Sequence, residues 1–188
     1  FKMIKLNGVE FTAPYYCFKK FGKKELSKFD AVHLVNPSMA VDHDNVFKIP
    51  NFVDVSLFKP SSEKAEKFTV LFVGRKNWRK GFDIFLEVAR RLSKLADLEF
   101  VTTGSTAFKH VRSLGYLEEP ELAKLYARAH VTLYPSRVDV MPLVILESLA
   151  CGTPVVATNF GAMRELLEPI TPELLASVKC KVMTAQCA

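Results

Sequence analysis

From residue 68 onward the sequence alternates short apolar segments with longer segments of helical periodicity, and this alternation limits the possible folds more than any other feature. The short segments are rich in β-branched and aromatic residues and end in turns, as buried strands do. Four are predicted as strands: Phe68–Val73, Leu98–Thr102, His130–Tyr134 and Pro154–Ala157. Because single helices separate them, the connections must be right-handed crossovers. We therefore predict an α/β fold, a doubly wound parallel sheet of the Rossmann-like kind.

The intervening helices can be placed as well. The first presents five apolar residues at helical spacing: Phe82, Phe85, Leu86, Ala89 and Leu92. The second begins at Glu119, and the third runs from Pro142 to about Cys151 with Gly152 as its cap. A last short helix is predicted after Gly161. Ligands of such sheets bind beyond the carboxyl ends of the strands, so functional residues are expected in the loops there.

Residues 1–60 lack the alternation. Ala31–Val35 is the only clear strand candidate in this part, and turn-forming pairs such as Asn36-Pro37 interrupt the rest. We divide the chain into an N-terminal appendage or reduced lobe with a linker, residues 1–60, and a Rossmann-like domain, residues 61–188. The stretch from Pro169 onward carries no motif that we can assign.

The charge of the chain is unevenly distributed. The formal net charge is +6, and residues 1–30 hold seven lysines against three acids, which leaves only +2 for the remaining 158 residues. A nucleic-acid-binding domain would carry its basic stripe on the globular part, so we expect no nucleic-acid partner. No apolar run approaches the ~20 residues that span a bilayer, and no secretory signal is recognisable, which predicts a cytoplasmic protein with reduced cysteines.

The basic N-terminal segment leaves two interpretations open. In residues 15–24 aromatic side chains alternate with lysines, as in segments that lie on anionic membranes, which would place the protein peripherally at a membrane. Alternatively, the lysines are a solvated flank and the aromatic rings pack on the domain.

Two places at strand ends carry charges that suit a phosphorylated sugar. Gly74 and Arg75 follow the first strand, and Lys80 stands at the mouth of the next helix. Such cations can stabilise the negative charge of a departing diphosphate. Asp139 and Glu147 lie in a later loop and in the helix after it, where carboxylates could accept hydrogen bonds from hydroxyl groups. Each group taken alone is equally compatible with an ordinary solvated loop, turn or helix residue.

The start of the third helix adds free donors to the second place. The backbone N–H groups of Leu143 and Val144 and the positive end of the helix dipole suit a phosphate. Glu147 sits in an otherwise apolar helix, which we expect to be buried, and a buried carboxylate needs a hydrogen-bonding partner. No metal-binding spacing is apparent, and the four histidines, His33, His43, His110 and His130, are predicted to be structural.

Together these segments resemble the C-terminal domain of retaining GT-B glycosyltransferases of the family-4 type, over roughly residues 48–167. Asp139 to Glu147 falls on the family's Glu-x7-Glu motif, and Leu149–Thr158 is similar to the segment after it. The other similar segments are Ile49–Asp54 with Phe58–Pro60 (the linker), Phe72–Arg75 with Lys80-Gly81 (the diphosphate loop), Leu114–Tyr116, Leu122–Tyr126, Tyr134–Ser136, and Gly161 with Glu165.

The resemblance implies a role for each of these residues. Arg75 and Lys80 would hold the diphosphate of a nucleotide-sugar donor, Asp139 the transferred sugar, and Glu147 the ribose hydroxyls. Further donor-binding positions would be Gly74, Val140, Met141, Pro142, Leu143 and Val144. The resemblance also implies transfer with retention to an acceptor and no metal or other cofactor.

The sequence departs from the family in several places. Asp139 replaces the first Glu, Val140–Pro142 replaces Gly-Phe-Gly, Phe52 replaces a linker Gly, and Ala162 replaces a second Gly. Proline at 142 cannot donate an N–H group, although it suits a helix start. The acceptor-binding N-terminal lobe of the family has no room in 60 residues. Two functions therefore stay open. One is a glycosyltransferase; the other is a non-catalytic nucleotide-sugar-binding module or a subunit of a split transferase, whose partner would supply that lobe.

Overall fold

The computed structural model describes residues 3–6, 9–12, 26–36, 41, 43–158 and 182–185. The chain divides into two compact units, Phe1–Pro50 and Asn51–Ala188. The N-terminal unit holds an antiparallel pair, β1 (Met3–Leu6) with β2 (Val9–Thr12), and a parallel pair, β3 (Val32–Leu34) with β4 (Val46–Lys48). The sequence predicted β3 alone, because strands of three or four residues are too short for a period to be recognised.

The C-terminal unit is built on a six-stranded parallel sheet, which confirms the predicted fold class. Its strands are β5 (Phe68–Phe72), β6 (Leu98–Thr102), β7 (Arg112–Ser113), β8 (Val131–Tyr134), β9 (Val155–Thr158) and β10 (Val182–Ala185). They lie in the order β10-β9-β8-β5-β6-β7, and every neighbouring pair is parallel. The sequence predicted neither β7 nor β10.

In the described part of this unit three α-helices connect the strands, where the sequence placed them: α1 (Phe82–Leu92), α2 (Glu119–Arg128) and α3 (Leu143–Ala150). Helix α1 buries Phe82, Phe85 and Ala89. Leu92, predicted on the same face, is the last residue of the helix and is 40% exposed. Helix α3 buries Ile145 and Ser148 but leaves Leu143 43% exposed, so the prediction that this apolar helix is buried holds only for part of it.

The strand order creates a switch point at the centre of the sheet. From β5 the chain builds β6 and β7 on one side and then crosses to β8, β9 and β10 on the other. The loops after β5 and β8 therefore leave neighbouring strands in divergent directions. A crevice at the carboxyl ends of such strands is where open α/β sheets bind ligands.

The division into compact units falls after Pro50, whereas the sequence analysis divided the chain after residue 60, so the linker from Asn51 onward groups with the C-terminal unit. Phe58 is 5% exposed and its ring lies 6.2 Å from that of Tyr126 in the core. Gly152 takes φ +69° after α3, as the predicted cap requires, and a Cβ there would lie 3.3 Å from Pro60. Burial of one large aromatic side chain is enough to fix the linker on the domain.

The four histidines each contact a neighbouring backbone or aromatic group. Thr69 donates its N–H to Nδ1 of His130 at 3.1 Å, and the imidazole stacks on Phe68. The ring nitrogens of His33 and His43 lie within hydrogen-bonding distance of backbone carbonyls, and the ring of His110 packs edge-on against Phe108. Desolvation and the charge of Lys64 lower the pKa of His130.

Several sequence predictions concern parts of the chain outside the described residues: the helix after Gly161, the segment 15–24, and Cys17, Cys180 and Cys187. Cys151 is free and buried, and burial raises the pKa of its thiol to about 11. Within the described ranges no helix is long and apolar enough to cross a membrane.

Candidate functional site

The loops after β5 and β8 meet through a cluster of three side chains. Lys80 forms an ion pair with Asp139 Oδ2, and the hydroxyl of Tyr134 donates to the same oxygen. Lys80 Nζ also lies 3.4 Å from the Tyr134 hydroxyl. The predicted diphosphate ligand and the predicted sugar ligand therefore lie side by side at the switch point of the sheet.

Backbone contacts lock the two loops together. The N–H of Arg137 donates to the carbonyl of Arg79 at 2.8 Å, and the Ser136 hydroxyl lies 3.2 Å from the same carbonyl. Gly81 takes φ +70°, and a Cβ at this position would overlap the carbonyl oxygen of Pro135. Glycine is required here both for the left-handed backbone and for the close approach of the loops. This packing holds Lys80 and Asp139 in register.

The local fold around Lys80 is a single turn of 3₁₀ helix, Trp78–Lys80. The side chain of Asn77 caps this turn by accepting from the Lys80 N–H at 3.0 Å. Gly81 ends the turn and starts α1. A short turn between strand and helix thus points the Lys80 ammonium back over the end of the sheet.

Gly74 and Arg75 occupy the start of the same loop. Gly74 follows β5 with φ +147°, a conformation that side chains rarely adopt. Arg75 is exposed, and within the described ranges its guanidinium has no hydrogen-bond or ion-pair partner. Arg75 therefore offers an exposed positive charge in the same loop as Lys80.

The cluster sets the ionisation of its members. Burial acts to raise the pKa of Asp139, but the hydrogen bonds from Lys80 and Tyr134, with the positive charge of Lys80, outweigh it and lower that pKa. The N–H of Val140 donates to the other carboxylate oxygen at 2.8 Å. Desolvation and the neighbouring carboxylate raise the pKa of Tyr134. Asp139 is thus an anion and Tyr134 a neutral hydrogen-bond donor at neutral pH.

Glu147 has the partner that its burial requires. The hydroxyl of Tyr126, which is fully buried, donates to Glu147 Oε2 at 2.8 Å. Burial raises the pKa of Glu147; the hydrogen bond from Tyr126 opposes this, and the charge of Glu119 adds to it. Tyr126 lies on α2 and Glu147 on α3, so the hydrogen bond also joins the two helices.

The start of α3 has the features of an anion site. Pro142 is the N-cap, and no side chain caps the helix. The N–H of Val140 is already held by Asp139, which leaves Leu143 and Val144 as the predicted donors whose N–H groups remain. Asn51 in the linker donates to the carbonyl of Met141 at 3.0 Å, which fixes the loop before the helix.

Each predicted site residue therefore lies at the carboxyl end of β5 or in the loop and helix that follow β8. Their predicted roles toward a donor stay predictions. A cavity of about 570 Å³ elsewhere in the unit contains none of them: it lies between the linker and α2. Among the described residues no group of three or more histidine, cysteine or acidic side chains is placed to hold a metal ion.

Sequence reasoning missed the two tyrosines that support the carboxylates. Tyr126 was assigned only to a helix face, and Tyr134 only to the end of a strand. Only the surroundings of these tyrosines indicate their role. A tyrosine on a buried face needs a hydrogen-bond partner for its hydroxyl, and Glu147 was predicted to need such a partner too. Pairing these two unmet requirements would have predicted the Tyr126–Glu147 contact.

Comparison with known proteins gives the family and the fold of the C-terminal unit. The family model for "Glycosyl transferases group 1" matches residues 67–186. The chain is 29% identical over 139 residues to a subunit of phosphatidylinositol N-acetylglucosaminyltransferase from Arabidopsis thaliana, covering 65% of this chain and 31% of that protein. It is 33% identical over 150 residues to D-inositol 3-phosphate glycosyltransferase of Paenarthrobacter aurescens, covering 65% and 37%. The chain thus spans about a third of the length of these curated relatives.

Solved structures share the fold. Anabaena HepE, solved in complex with UDP and glucose, superposes with a TM-score of 0.65 at 20% identity, covering 79% of this chain and 50% of that one. Sucrose-phosphate synthase from Thermosynechococcus elongatus superposes with a TM-score of 0.64 at 23% identity, covering 80% and 46%. The parallel sheet with its flanking helices is thus a Rossmann-like domain of the GT-B type. With the family model covering most of the C-terminal unit, the chain belongs to the group 1 glycosyl transferases.

Proposed function

We propose that this domain binds a nucleoside-diphosphate sugar at the switch point of its sheet and transfers the sugar, with retention, to a hydroxyl group of an acceptor. In this proposal Arg75 and Lys80 bind the diphosphate, Asp139 the transferred sugar, and Glu147 the ribose. Gly74 and the backbone from Val140 to Val144 complete the donor site. The nucleotide sugar is the only small molecule required besides the acceptor, and no metal takes part.

The observation that carries the proposal is the meeting of opposite charges at the ends of β5 and β8. A departing diphosphate gains negative charge as its bond to the sugar breaks, and the held ammonium of Lys80, together with the exposed guanidinium of Arg75, would stabilise that charge. The carboxylate of Asp139 would accept hydrogen bonds from the hydroxyl groups of the transferred sugar in the same donor. Lys80 contacts Asp139 directly. The group proposed to bind the diphosphate and the group proposed to bind the sugar are therefore neighbours, and the anomeric carbon would lie between them.

Retention places the acceptor on the same face of the sugar as the departing diphosphate. The acceptor oxygen replaces the diphosphate oxygen at the anomeric carbon, the proton of the acceptor hydroxyl passes to the departing diphosphate, and no enzyme nucleophile is needed. The buried Cys151 and the four structural histidines fit this description, because none of them faces the Lys80–Asp139 pair through a described contact. The contribution of the protein is thus position and charge.

The acceptor is proposed from the relatives. The names of both curated relatives contain an inositol compound, phosphatidylinositol or D-inositol 3-phosphate. An inositol-bearing acceptor is therefore the first to test. The first relative is named as one part of an assembly, and this chain spans about a third of its length. We propose that a further lobe, from a partner or from additional polypeptide, completes the acceptor side.

The donor site is tested by calorimetric titration of UDP, GDP and ADP, and of their sugar conjugates, into the chain and into Lys80→Ala. We expect one nucleotide to bind, with affinity about tenfold or more lower in the variant, because a charge-assisted contact to phosphate is lost. Lys94→Ala is the matched control, since Lys94 is exposed just beyond the far end of α1. Equal affinity in Lys80→Ala and Lys94→Ala would refute the assigned donor site.

The second candidate is a binding module without turnover, which the partial coverage of the relatives favours. Incubation with the preferred nucleotide sugar distinguishes the two. Slow release of nucleoside diphosphate by the isolated chain, absent in Asp139→Asn, supports the transferase. Binding without any release supports the module.

A cytoplasmic location with peripheral membrane contact through residues 15–24 remains a hypothesis about a part of the chain outside the described residues. Sedimentation with anionic vesicles at low and high salt tests it. Binding that salt weakens supports an electrostatic contact, because screening reduces the attraction between lysines and lipid headgroups.

A further inference from the structure

Tyr134 belongs to the cluster around Lys80 and Asp139, but the proposed function assigns it no role. It ends β8, and its side chain is 2% exposed, so its hydroxyl needs partners inside the protein. That hydroxyl donates to Asp139 Oδ2, the oxygen that also accepts from the Lys80 ammonium. The hydroxyl oxygen itself lies 3.4 Å from Lys80 Nζ. Tyr134 therefore contacts both charged groups of the pair.

The ring of Tyr134 also supports the Lys80 side chain. Lys80 Nζ lies 5.8 Å from the ring centroid, a distance at which the negative face of an aromatic ring attracts a cation. A lysine ammonium on its flexible four-carbon stem otherwise adopts many positions. Ring, hydroxyl and carboxylate together hold this ammonium, and 29% of the Lys80 side chain is still exposed. The ammonium is therefore fixed in place and open to a ligand.

The hydrogen bonds of the cluster leave the ammonium one N–H group for a ligand. A lysine ammonium has three N–H groups. One donates to Asp139 Oδ2, and the Tyr134 oxygen is in position to accept a second, because its own proton is donated to Asp139. Among the described residues the ammonium has no further acceptor. The third N–H group is thus available to an anion that enters the crevice.

Tyr134 also limits the hold of Asp139 on Lys80. Each carboxylate oxygen accepts about two hydrogen bonds. Oδ2 takes those of Tyr134 and Lys80, and Oδ1 takes the Val140 N–H at 2.8 Å. Without the tyrosine hydroxyl, Lys80 would be the only donor left to Oδ2 in the described part of the chain, and its ammonium would turn further toward the carboxylate. An incoming anion would then compete with Asp139 for the same N–H groups.

We propose that Tyr134 is a positioning residue of the donor site, which holds the Lys80 ammonium with one N–H group available to the diphosphate. The inference rests on the proposed function, in which Lys80 binds that diphosphate. In this role Tyr134 does not contact the donor and acts only through Lys80. An ammonium that is ordered before the donor arrives loses little conformational freedom on binding, which favours affinity.

The heat of UDP binding tests this role, with GDP or ADP in its place where that is the nucleotide the wild type binds. Tyr134→Phe keeps the ring and removes the hydroxyl, and we expect affinity about threefold to tenfold lower. The double variant Tyr134→Phe with Lys80→Ala should bind like Lys80→Ala alone, because the tyrosine then has no ammonium to position. Titration to millimolar nucleotide keeps this weak binding measurable. No loss in Tyr134→Phe, or a loss that adds fully to that of Lys80→Ala, overturns the inference.

Thr69→Val is the matched control for the loss of a buried hydroxyl. Thr69 is also 2% exposed, and its hydroxyl donates to the carbonyl of Lys67 at 2.9 Å. It lies on the neighbouring strand β5, near the end away from the crevice, and its hydroxyl contacts neither Lys80 nor Asp139. The variant should lower Tm and leave the affinity for UDP unchanged. An equal loss of affinity in Thr69→Val and Tyr134→Phe would show a general loss of packing and overturn the positioning role.

A second measurement leaves the hydroxyl in place. With 3-fluorotyrosine in place of Tyr134, the fluorine resonance should shift on addition of UDP, with the dissociation constant that calorimetry gives. A resonance that saturating UDP leaves unmoved overturns the inference. Its failure is distinguishable from that of the proposed function. Nucleotide binding that depends on Lys80 but not on Tyr134 overturns the positioning role alone, whereas a wild type that binds no nucleotide overturns the donor site as well.

Discussion

The hydrogen bond between Tyr126 and Glu147 gives the most informative single perturbation of the domain. Tyr126 is fully buried, and its hydroxyl donates to the half-buried carboxylate at 2.8 Å. Tyr126→Phe removes this donor without changing the ring that packs on Phe58. A hydrogen bond to a charged group contributes about 1.5–3 kcal/mol, and losing it leaves the carboxylate desolvated. For a chain of this size the cost corresponds to a decrease in Tm of about 3–12 °C.

The cost should depend on pH with a defined sign. The pKa of Glu147 is raised by burial, so the folded state binds a proton more readily than the unfolded state does. Wild-type stability therefore falls as the pH rises through the pKa of Glu147. Since the Tyr126 hydroxyl opposes the rise in the pKa of Glu147, the stability of Tyr126→Phe should fall more steeply than that of the wild type over the same pH range. The difference between the two proteins should shrink at acidic pH, where the carboxyl is neutral.

Two further variants complete the test, measured by thermal and urea unfolding from acidic to neutral pH. Tyr116→Phe is the matched control, because Tyr116 is 85% exposed and removal of its hydroxyl should change nothing. Glu147→Gln keeps an acceptor for Tyr126 but removes the charge, so its stability at neutral pH should equal or exceed that of the wild type. A Tyr126→Phe cost no larger than that of the control, or one independent of pH, would refute the reasoning.

Three other perturbations follow from the same geometry. Gly81→Ala should destabilise the domain by at least about 1–3 kcal/mol in urea unfolding, because the backbone is left-handed and the added Cβ overlaps the Pro135 carbonyl; wild-type stability would contradict the close approach of the loops. Ile145→Ala should cost about 2–5 kcal/mol and Leu143→Ala far less, since only the first is fully buried; equal costs would contradict the packing of α3. The stability that Asp139 contributes should be present above about pH 4 and lost as the pH falls through its lowered pKa, and Asp139→Asn should not show this loss of stability in acid. Identical dependence of stability on acidic pH in the wild type and the variant would contradict a stabilising ion pair.

The sequence predicted the framework because the framework is periodic. Strands such as Leu98–Thr102 are continuous apolar runs, and helices such as Glu119–Arg128 carry a proline at the start and one apolar face. The sequence pattern of each element therefore predicts both its type and its ends. The two-residue strand Arg112–Ser113 has no such pattern, because it exists only through its pairing with the neighbouring strand.

The charged residues of the candidate site were predicted, but not their arrangement. Lys80 and Asp139 were assigned to separate halves of the donor, whereas the structure joins them in one ion pair. Sequence distance hides this contact, because it depends on which strands become neighbours. The contacts of Arg137 with the Trp78 ring and with Asp83 could not be predicted, because loop residues have no period and these partners lie 54 or more residues away in the chain.

The strand order has a consequence for the folding of the chain during synthesis. The pairing of Phe68–Phe72 with Leu98–Thr102 is local, but its pairing on the other side begins with Val70 opposite Val131, 61 residues further on (131 − 70). Until Val131–Tyr134 leaves the ribosome, the most apolar strand of the sheet has one open edge. Such an edge invites pairing with another chain. The nascent protein is therefore most vulnerable to aggregation in that interval, and slow translation between these strands would lengthen it.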